Sequence, residues 1–223
     1  PILFFDFIDL AKKLQPKVVV AENVKGLLLG EAKDYVRRIY EGFEDAGYYC
    51  QHWLLDAQKM GVPQRRERVF FICLRKDLAT PFLVMQSLFN DVPKLDLDFK
   101  EAPIMFSDVV AGVGREIKSK EMRKRWESRL PTDDDFGDVT TRLYGRRLTF
   151  NTQFAFLDRV CNTLTGKEDS TVHYDKPFYL STQEVTTIAT FPQDYHYVCG
   201  MSVPPVMMAQ VASRIWEQWL SKI

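Results

Sequence analysis

The sequence predicts an α/β fold built on a mostly parallel sheet, followed by a less regular region. Residues 17–55 read as strand, helix and strand with short links, a succession that normally joins parallel strands. The run Val18–Ala21 is continuously apolar and β-branched at three positions, which is typical of a strand buried on both faces. Helical patterning returns after residue 181, so the less regular region lies between two ordered ones.

Each element of the first region follows from its local sequence. Broad apolar patterning predicts a helix over Ile2–Leu14, which Pro16 ends. The segment Glu31–Ala46 predicts an amphipathic helix closed by Gly47. Two further strands are predicted at Tyr48–Leu55 and Arg68–Leu74. A last helix is expected at about residues 206–220.

Too few strands are predicted for a complete parallel sheet. A strand as apolar as Val18–Ala21 needs neighbours on both sides, because an unpaired edge exposes a row of backbone donors and acceptors. We therefore expect the chain to pair with further polypeptide, or to be one half of a fold.

Composition excludes several classes of protein. With 46% hydrophobic and 27% charged residues the chain is not disordered, and no apolar stretch is long enough to span a membrane. The four cysteines lack CxxC spacing, which argues against a disulfide framework or a zinc site and favours a cytoplasmic protein. Thirty basic and thirty acidic residues balance, so a nucleic-acid binder must gather its positive charge on one face.

Three charged residues are candidates for chemistry. Glu22 directly follows the Val18–Ala21 strand, and ligands of open α/β sheets bind beyond the carboxyl ends of strands. Arg66 and Arg68 alternate along a predicted strand, so that they share a face and could hold an anion between them. The alternatives are a solvated strand-end glutamate and a solvated charged turn.

A basic segment, residues 115–129, carries seven Lys or Arg against three Glu and contains Trp126. Contact with DNA phosphates and a solvated helix face are the two interpretations. The candidate contacts here and just beyond are Lys118, Lys120, Arg123, Lys124, Arg146 and Arg147.

Several motifs together resemble one family. Leu3-Phe-Phe-Asp6, Glu22-Asn-Val24 and Gly61-Val-Pro-Gln-Arg-Arg-Glu-Arg-Val69 look like consecutive motifs of the cytosine-5 DNA methyltransferases, in family order and spacing. Asn162-Thr-Leu-Thr165 resembles the end of the family's recognition domain. The last two family motifs are resembled by Leu180–Pro192 and Gly200-Met-Ser-Val-Pro-Pro205.

The resemblance implies a partial Rossmann-like class I methyltransferase sheet with a smaller, irregular target-recognition domain. Residues 1–76 are then the second half of the catalytic domain, and residues 77–176 are the recognition domain. Residues 177–223 return to the catalytic domain.

The resemblance also implies roles. Methylating C5 of cytosine needs a thiolate at C6, and the negative charge that develops on N3 and O2 must be neutralised. Glu22 is then the partner of N3, Arg68 polarises O2 and Arg66 supports the loop, all acting on a cytosine flipped out of duplex DNA. S-adenosylmethionine is the implied methyl donor, held by Leu3, Ser202 and Val203. Further implied DNA contacts are Asn23, Gln64, Thr163 and Thr165.

The sequence departs from the family in what it lacks. The glycine-rich cofactor loop and the Pro-Cys-Gln nucleophile loop, which precede the Leu3 motif in the family, are missing, and no cysteine follows a proline. The family's Gly-Asn pair reads Gly200-Met201. The cofactor pocket is thus expected to be incomplete. The chain should need the N-terminal half of a methyltransferase, or a complementary subunit, beside bacterial or phage DNA in the nucleoid.

Two alternatives stay open from the sequence. The chain could be a non-catalytic DNA-binding or partner-binding module on a degenerate methyltransferase scaffold. It could also be an RNA cytosine-5 methyltransferase, because base flipping and neutralisation at N3 serve either polymer.

Overall fold

The computed structural model describes residues 2–29, 33–87, 90–147, 152–167, 169–195 and 199–223, which fall into two units. The first unit contains the chain up to Asp56 together with Glu67–Asp98 and Gln210–Ile223. The second contains Ala57–Arg66 and Phe99–Ala209. The domain limits expected at residues 76 and 177 stay a prediction, because a division into compact units does not show which residues serve catalysis and which serve DNA recognition.

The first unit contains the helices and strands that the sequence patterns predict and, after residue 82, two short strands that they do not predict. They are α1 (Ile2–Leu14), β1 (Val18–Val24), α2 (Lys33–Asp45), β2 (Tyr48–Asp56), β3 (Glu67–Arg75), β4 (Leu83–Ser87) and β5 (Asn90–Pro93). Residues 31 and 32, where the second helix was expected to begin, lie outside the described residues. Gly47 follows α2 with a φ of 91°, a conformation that glycine adopts without strain.

The main sheet has the order β1-β3-β2, and β3 is antiparallel to both neighbours. The expectation of a mostly parallel sheet is therefore wrong for these strands. The physical reason lies in the connections. Helix α2 joins β1 to β2, so these two strands run in the same direction. Only residues 57–66 join β2 to β3, and this short link reverses the chain.

The central strand β3 holds the core of the first unit. All six residues of Val69–Leu74 are fully buried. Phe71 packs in one cluster with Ile8 of α1 and with Ile39 and Phe43 of α2. Burying a side chain of this size stabilises a fold by roughly 1.5–3 kcal/mol. The sheet is thus anchored at its middle strand.

Strand β1 is less buried than its sequence suggests. Only Val19 of its seven residues is buried. The expected burial on both faces is wrong here, because side chains on each face of β1 keep part of their surface exposed. Among the described residues β1 pairs with β3 alone and forms an edge of the sheet.

The second unit is irregular, with short elements joined by long loops. Its helices and strands are α3 (Lys120–Glu127), α4 (Phe136–Tyr144), β6 (Gln153–Ala155), β7 (Thr171–His173) and α5 (Thr182–Ile188). A last helix, α6 (Pro205–Gln218), begins in this unit and ends in the first. One apolar cluster contains Phe136, Phe154 and Val172, and another contains Phe106, Leu164 and Ile188.

A buried carboxylate organises the start of α5. Glu184 is fully buried, and its Oε2 accepts a hydrogen bond from the Ser181 amide at 2.7 Å and lies 3.1 Å from Nε2 of His173. The Ser181 hydroxyl accepts in return from the Glu184 amide, which makes a capping box. Burial raises the pKa of Glu184, but the hydrogen bonds from His173 and Ser181 outweigh burial, so the pKa lies below its ordinary 4.5.

This carboxylate predicts an acid sensitivity. Because the pKa of Glu184 is lowered by folding, its contribution to stability is present above pH 4.5 and is lost as the pH falls through the folded-state pKa. Glu184→Gln should lower the free energy of unfolding by about 1–3 kcal/mol at neutral pH. The free energy of unfolding of this variant, measured with urea, should also change less than that of the native chain as the pH falls into the acid range. Glu217→Gln, at an exposed position of α6, is the control and should leave both unchanged; an unaltered acid limb in Glu184→Gln contradicts the assignment.

Candidate active site

A carboxylate and a guanidinium meet on one face of the main sheet. In the β1–β3 register Glu22 lies opposite Phe70 and Val24 lies opposite Arg68, so Glu22 and Arg68 are diagonal neighbours. Arg68 Nε lies 2.9 Å from Glu22 Oε1, and the two side chains are 15% and 29% exposed. The pair is therefore partly shielded from water and partly accessible to a ligand.

The end of β1 is shaped by local hydrogen bonds around this pair. The Asn23 side chain accepts a hydrogen bond from the Val24 amide at 2.8 Å, just before the helical turn Lys25–Leu28. Lys25 Nζ is 2.7 Å from the carboxylate of Glu67, the first residue of β3. These contacts tie the ends of β1 and β3 together beside Glu22. The expected contact of Asn23 with DNA stays a prediction.

Arg66 differs from Arg68 in its surroundings. Strand β3 begins at Glu67, so the alternation along a strand does not extend back to Arg66, and the two arginines do not share one strand face. Arg66 is 2% exposed and belongs to the second unit. Its Nη1 donates to the carbonyl oxygen of Leu164 at 3.3 Å and to that of Gly200 at 3.1 Å.

The residues around Arg66 form a junction between two motifs, residues 64–66 and 162–165. Gln64 is 1% exposed, and its side-chain oxygen accepts a hydrogen bond from the Leu164 amide at 3.2 Å. The Thr163 hydroxyl donates to the carbonyl oxygen of Arg65, whose guanidinium contacts Asn162. Gln64 thus has almost no surface left for DNA. Instead, Gln64 and Arg66 together position the two motifs of this junction.

Gly200 completes the junction. A Cβ at this position would overlap the carbonyl oxygen of Thr165, so only glycine permits the close approach of the two backbones. The Gly200 carbonyl oxygen is in turn an acceptor for Arg66. Three separate motifs of the sequence are therefore held by one buried guanidinium. Thr165 itself is exposed, in keeping with a residue that can meet a ligand.

The family model of the C-5 cytosine-specific DNA methylases matches residues 2–217. The chain belongs to the C-5 cytosine-specific DNA methylase family. It is 25% identical over 239 residues to a type II methyltransferase of Neisseria gonorrhoeae, with 96% of this chain and 62% of that protein covered. It is 47% identical over 76 residues to a type II methyltransferase of Fusobacterium nucleatum, covering 34% of this chain and 22% of that one. The chain thus spans about three-fifths or less of these two relatives.

The fold is also that of methyltransferases of known structure. The crystal structure of a putative DNA modification methyltransferase encoded within an Escherichia coli prophage superposes with a TM-score of 0.63 at 16% identity. The superposition covers 97% of this chain and 73% of that one. The partial class I methyltransferase fold expected from the sequence is confirmed.

The residues that the family resemblance assigns to S-adenosylmethionine are divided between the two units. Leu3 lies on α1 in the first unit and is 84% exposed. Ser202 and Val203 are half-buried in the second unit, next to Met201, which is 77% exposed. A cavity of about 350 Å3 in the first unit is lined by Tyr40, His52 and Trp53 but not by Leu3. The assignment of Leu3, Ser202 and Val203 to S-adenosylmethionine therefore stays a prediction.

The basic segment divides by residue type. Its arginines are engaged inside the unit: Arg123 pairs with Glu116 and Glu127, and Arg129 lies over Trp126 at 3.5 Å. Buried Arg125 donates to Thr140 at 3.1 Å. The lysines Lys118, Lys120 and Lys124 are exposed, and Lys124 Nζ also lies 5.9 Å from the centre of the Tyr144 ring.

The candidates after α4 also differ from each other. Both arginines, Arg146 and Arg147, are exposed, and Arg147 is paired with Asp135 at 2.6 Å and with Asp138. Within the described residues, no group of three His, Cys, Asp or Glu is placed to hold a metal ion. Over the same residues, the helices are all too short or too polar to cross a membrane.

The two arginines of the motif should respond differently to replacement. Arg66→Met removes the charged donor from two backbone carbonyls, and we expect it to lower the free energy of unfolding by about 3 kcal/mol. Arg68→Met removes one partner of a partly exposed ion pair, and a change within about 1 kcal/mol is expected. Urea denaturation of both variants measures this difference. Equal losses in the two would contradict a bracing role for Arg66.

Proposed function

We propose that this protein is the C-terminal part of a DNA cytosine-5 methyltransferase. The parent enzyme transfers a methyl group from S-adenosylmethionine to C5 of a cytosine flipped out of duplex DNA. The observation that carries this proposal is the Glu22–Arg68 pair, held at 2.9 Å by the β1–β3 register in a chain of the cytosine-5 family.

The chemistry needs two groups side by side. Attack of a thiolate at C6 drives electron density onto N3 and O2, two neighbouring acceptors on the same edge of the ring. A carboxyl group donating to N3 and a guanidinium donating to O2 neutralise that charge where it develops. Glu22 and Arg68 supply this combination. In the absence of substrate the arginine balances the carboxylate, and a bound cytosine takes over one contact from each.

The nucleophile must come from elsewhere. All four cysteines lie among the described residues, and Cys73, Cys161 and Cys199 are buried. Burial raises the pKa of Cys161 to about 12 and raises the pKa of Cys199 as well, so these thiols stay protonated at neutral pH. Cys50 lies on β2, opposite Cys73 and away from the end of β1 that carries Glu22.

Two exposed features of the first unit support the proposal that a complementary polypeptide binds to it. Helix α1 carries a stripe of apolar residues at helical spacing, Leu3, Phe7, Leu10 and Leu14, with exposures of 84%, 36%, 50% and 70%. Strand β1 presents a second edge on which the described residues place no partner strand. The remaining part of a methyltransferase would cover both surfaces and supply the cofactor loop and the thiolate.

The second unit is then the part that binds DNA. Lys118, Lys120 and Lys124 supply phosphate contacts, and Thr163 and Thr165 approach the strand from the junction. A DNA substrate places the enzyme with the nucleoid in the cytoplasm, as the modification partner in a bacterium or phage. The bacterial and prophage sources of its relatives support this placement.

Methyl transfer tests the role of Glu22. The chain is combined with a polypeptide carrying the family's cofactor and Pro-Cys-Gln loops, and transfer of labelled methyl groups to duplex DNA and to RNA is measured. Glu22→Gln should reduce transfer to DNA by about a hundredfold or more, because a required proton donor is lost. Glu44→Gln, at an exposed position of α2, is the control and should stay active. Undiminished transfer in Glu22→Gln overturns the role, and transfer to RNA alone overturns the substrate.

Salt dependence tests the lysines. Replacing Lys118, Lys120 and Lys124 by glutamine should reduce the slope of log affinity against log salt by about 2–3, because each phosphate contact contributes close to one released counterion. Fluorescence anisotropy of a labelled duplex over a salt series measures the slope in the combined enzyme. Replacing three exposed lysines of the first unit, Lys12, Lys13 and Lys222, is the matched control. An unchanged slope in the first variant would remove this surface from the interface.

A further inference from the structure

Two cysteines of the first unit lie directly opposite each other on neighbouring strands. In the antiparallel β2–β3 register Cys50 is the partner of Cys73, so their side chains leave the same face of the sheet. Residues opposite each other in this way have Cβ atoms about 4.5–5.5 Å apart, close to the roughly 3.5–4.5 Å that a disulfide needs. Both thiols are free in the structure. The strand pairing thus brings two free thiols close to bonding distance.

The two thiols also interact with each other. Burial raises the pKa of Cys73, and the hydrogen bond between its side chain and that of Cys50 raises it further. Such a hydrogen bond requires the two sulfur atoms to face each other across the strands. A bond between them therefore needs only a small movement of the side chains.

The two cysteines differ in their access to solvent. Cys73 is fully buried in the core, whereas Cys50 is half-buried. Cys50 also lines the cavity of about 350 Å3 in the first unit, together with Tyr40 and His52. A small reagent in this cavity can therefore meet Cys50 first, and Cys73 can then react with Cys50 from inside the core.

The wall around Cys50 favours an uncharged reagent. The Tyr40 hydroxyl lies 2.6 Å from Nδ1 of His52. Burial lowers the pKa of His52 and raises that of Tyr40, so both side chains are uncharged at neutral pH. Glu44, which also lines the cavity, is paired with Lys76 at 3.1 Å. The wall is thus mostly aromatic and neutral beside the thiol.

We propose that Cys50 and Cys73 form a reversible cross-strand disulfide by exchange with a low-molecular-weight disulfide. The inference goes beyond methyl transfer, because it requires neither Glu22 nor a cofactor. The bond would tie the edge strand β2 to the central strand β3 and close a loop that contains the link of residues 57–66. Disulfides in reducing compartments are mostly transient and redox-sensing, which suits a pair that a reductant can open again.

The exchange runs in two balanced steps. The Cys50 sulfur attacks one sulfur of the reagent and breaks its S–S bond, and the departing thiolate takes the proton that Cys50 has lost. The Cys73 sulfur then attacks the Cys50 sulfur of this mixed disulfide. The second half of the reagent leaves as a thiol with the proton of Cys73. The two cysteines are oxidised by two electrons, and the reagent is reduced to two thiols.

Mass spectrometry of the full chain tests the proposal. The native chain is treated with 2-hydroxyethyl disulfide, a small uncharged reagent, and the remaining thiols are alkylated after denaturation. We expect a peptide cross-link between Cys50 and Cys73, with Cys161 and Cys199 alkylated and with no reagent left on the protein. Dithiothreitol should restore all four thiols. A native chain that keeps four free thiols, or that carries the reagent on Cys50 without the cross-link, overturns the proposal.

Single variants test the order of the two steps. Cys73→Ala should trap the reagent on Cys50 as a mixed disulfide, because the second thiol is missing. Cys50→Ser should leave Cys73 unmodified, because a fully buried thiol does not meet the reagent. Cys161→Ala is the matched control and should still form the cross-link. Reagent on Cys73 in Cys50→Ser, with none on Cys50 in Cys73→Ala, contradicts the assigned order.

Thermal unfolding gives a second measurement on the native chain. The disulfide restricts the unfolded chain, so oxidation should raise the melting temperature by roughly 5–10 °C. The same treatment should leave the melting temperature of Cys50→Ser unchanged. An equal rise in Cys50→Ser would assign the effect to the reagent and not to the bond.

Discussion

The burial of β3 is the constraint on which the first unit depends. Six consecutive residues of this strand are fully buried, so a shift of β3 by one residue would bring Arg68 or Arg75 into a position that a buried apolar side chain now fills. The same register fixes the diagonal between Arg68 and Glu22. The position of a charged pair at the end of a sheet is thus fixed by the burial of the apolar residues that follow it in β3.

The second unit depends on a different constraint, the buried guanidinium of Arg66. It joins residues far apart in sequence, Leu164 and Gly200, through their backbone carbonyls. Backbone acceptors do not depend on side-chain identity, so this junction tolerates variation at the residues that it positions. The close approach at Gly200 is the exception, since a side chain there has no space.

The helices and strands are more predictable from the sequence than the pairing of the strands. Periodicity was enough to bound α1 and β3, and strand position was enough to single out Glu22. Strand direction was predicted wrongly, because it depends on the link of residues 57–66 and not on the strands themselves. Spacing alone also grouped Arg66 with Arg68, although the strand begins between them. Burial of Gln64 leaves no local signal, because it arises from contacts between distant segments.

The division of labour in the basic segment has an evolutionary consequence. The arginines of residues 115–129 hold helix and loops together through acids and aromatic rings, while Lys118, Lys120 and Lys124 are exposed and the structure shows only a cation–π contact of Lys124 with Tyr144. A lineage can therefore exchange the lysines one at a time and retune its grip on polyanions, with the scaffold left intact. The arginines lack that freedom, so drift at this surface should run through its lysines.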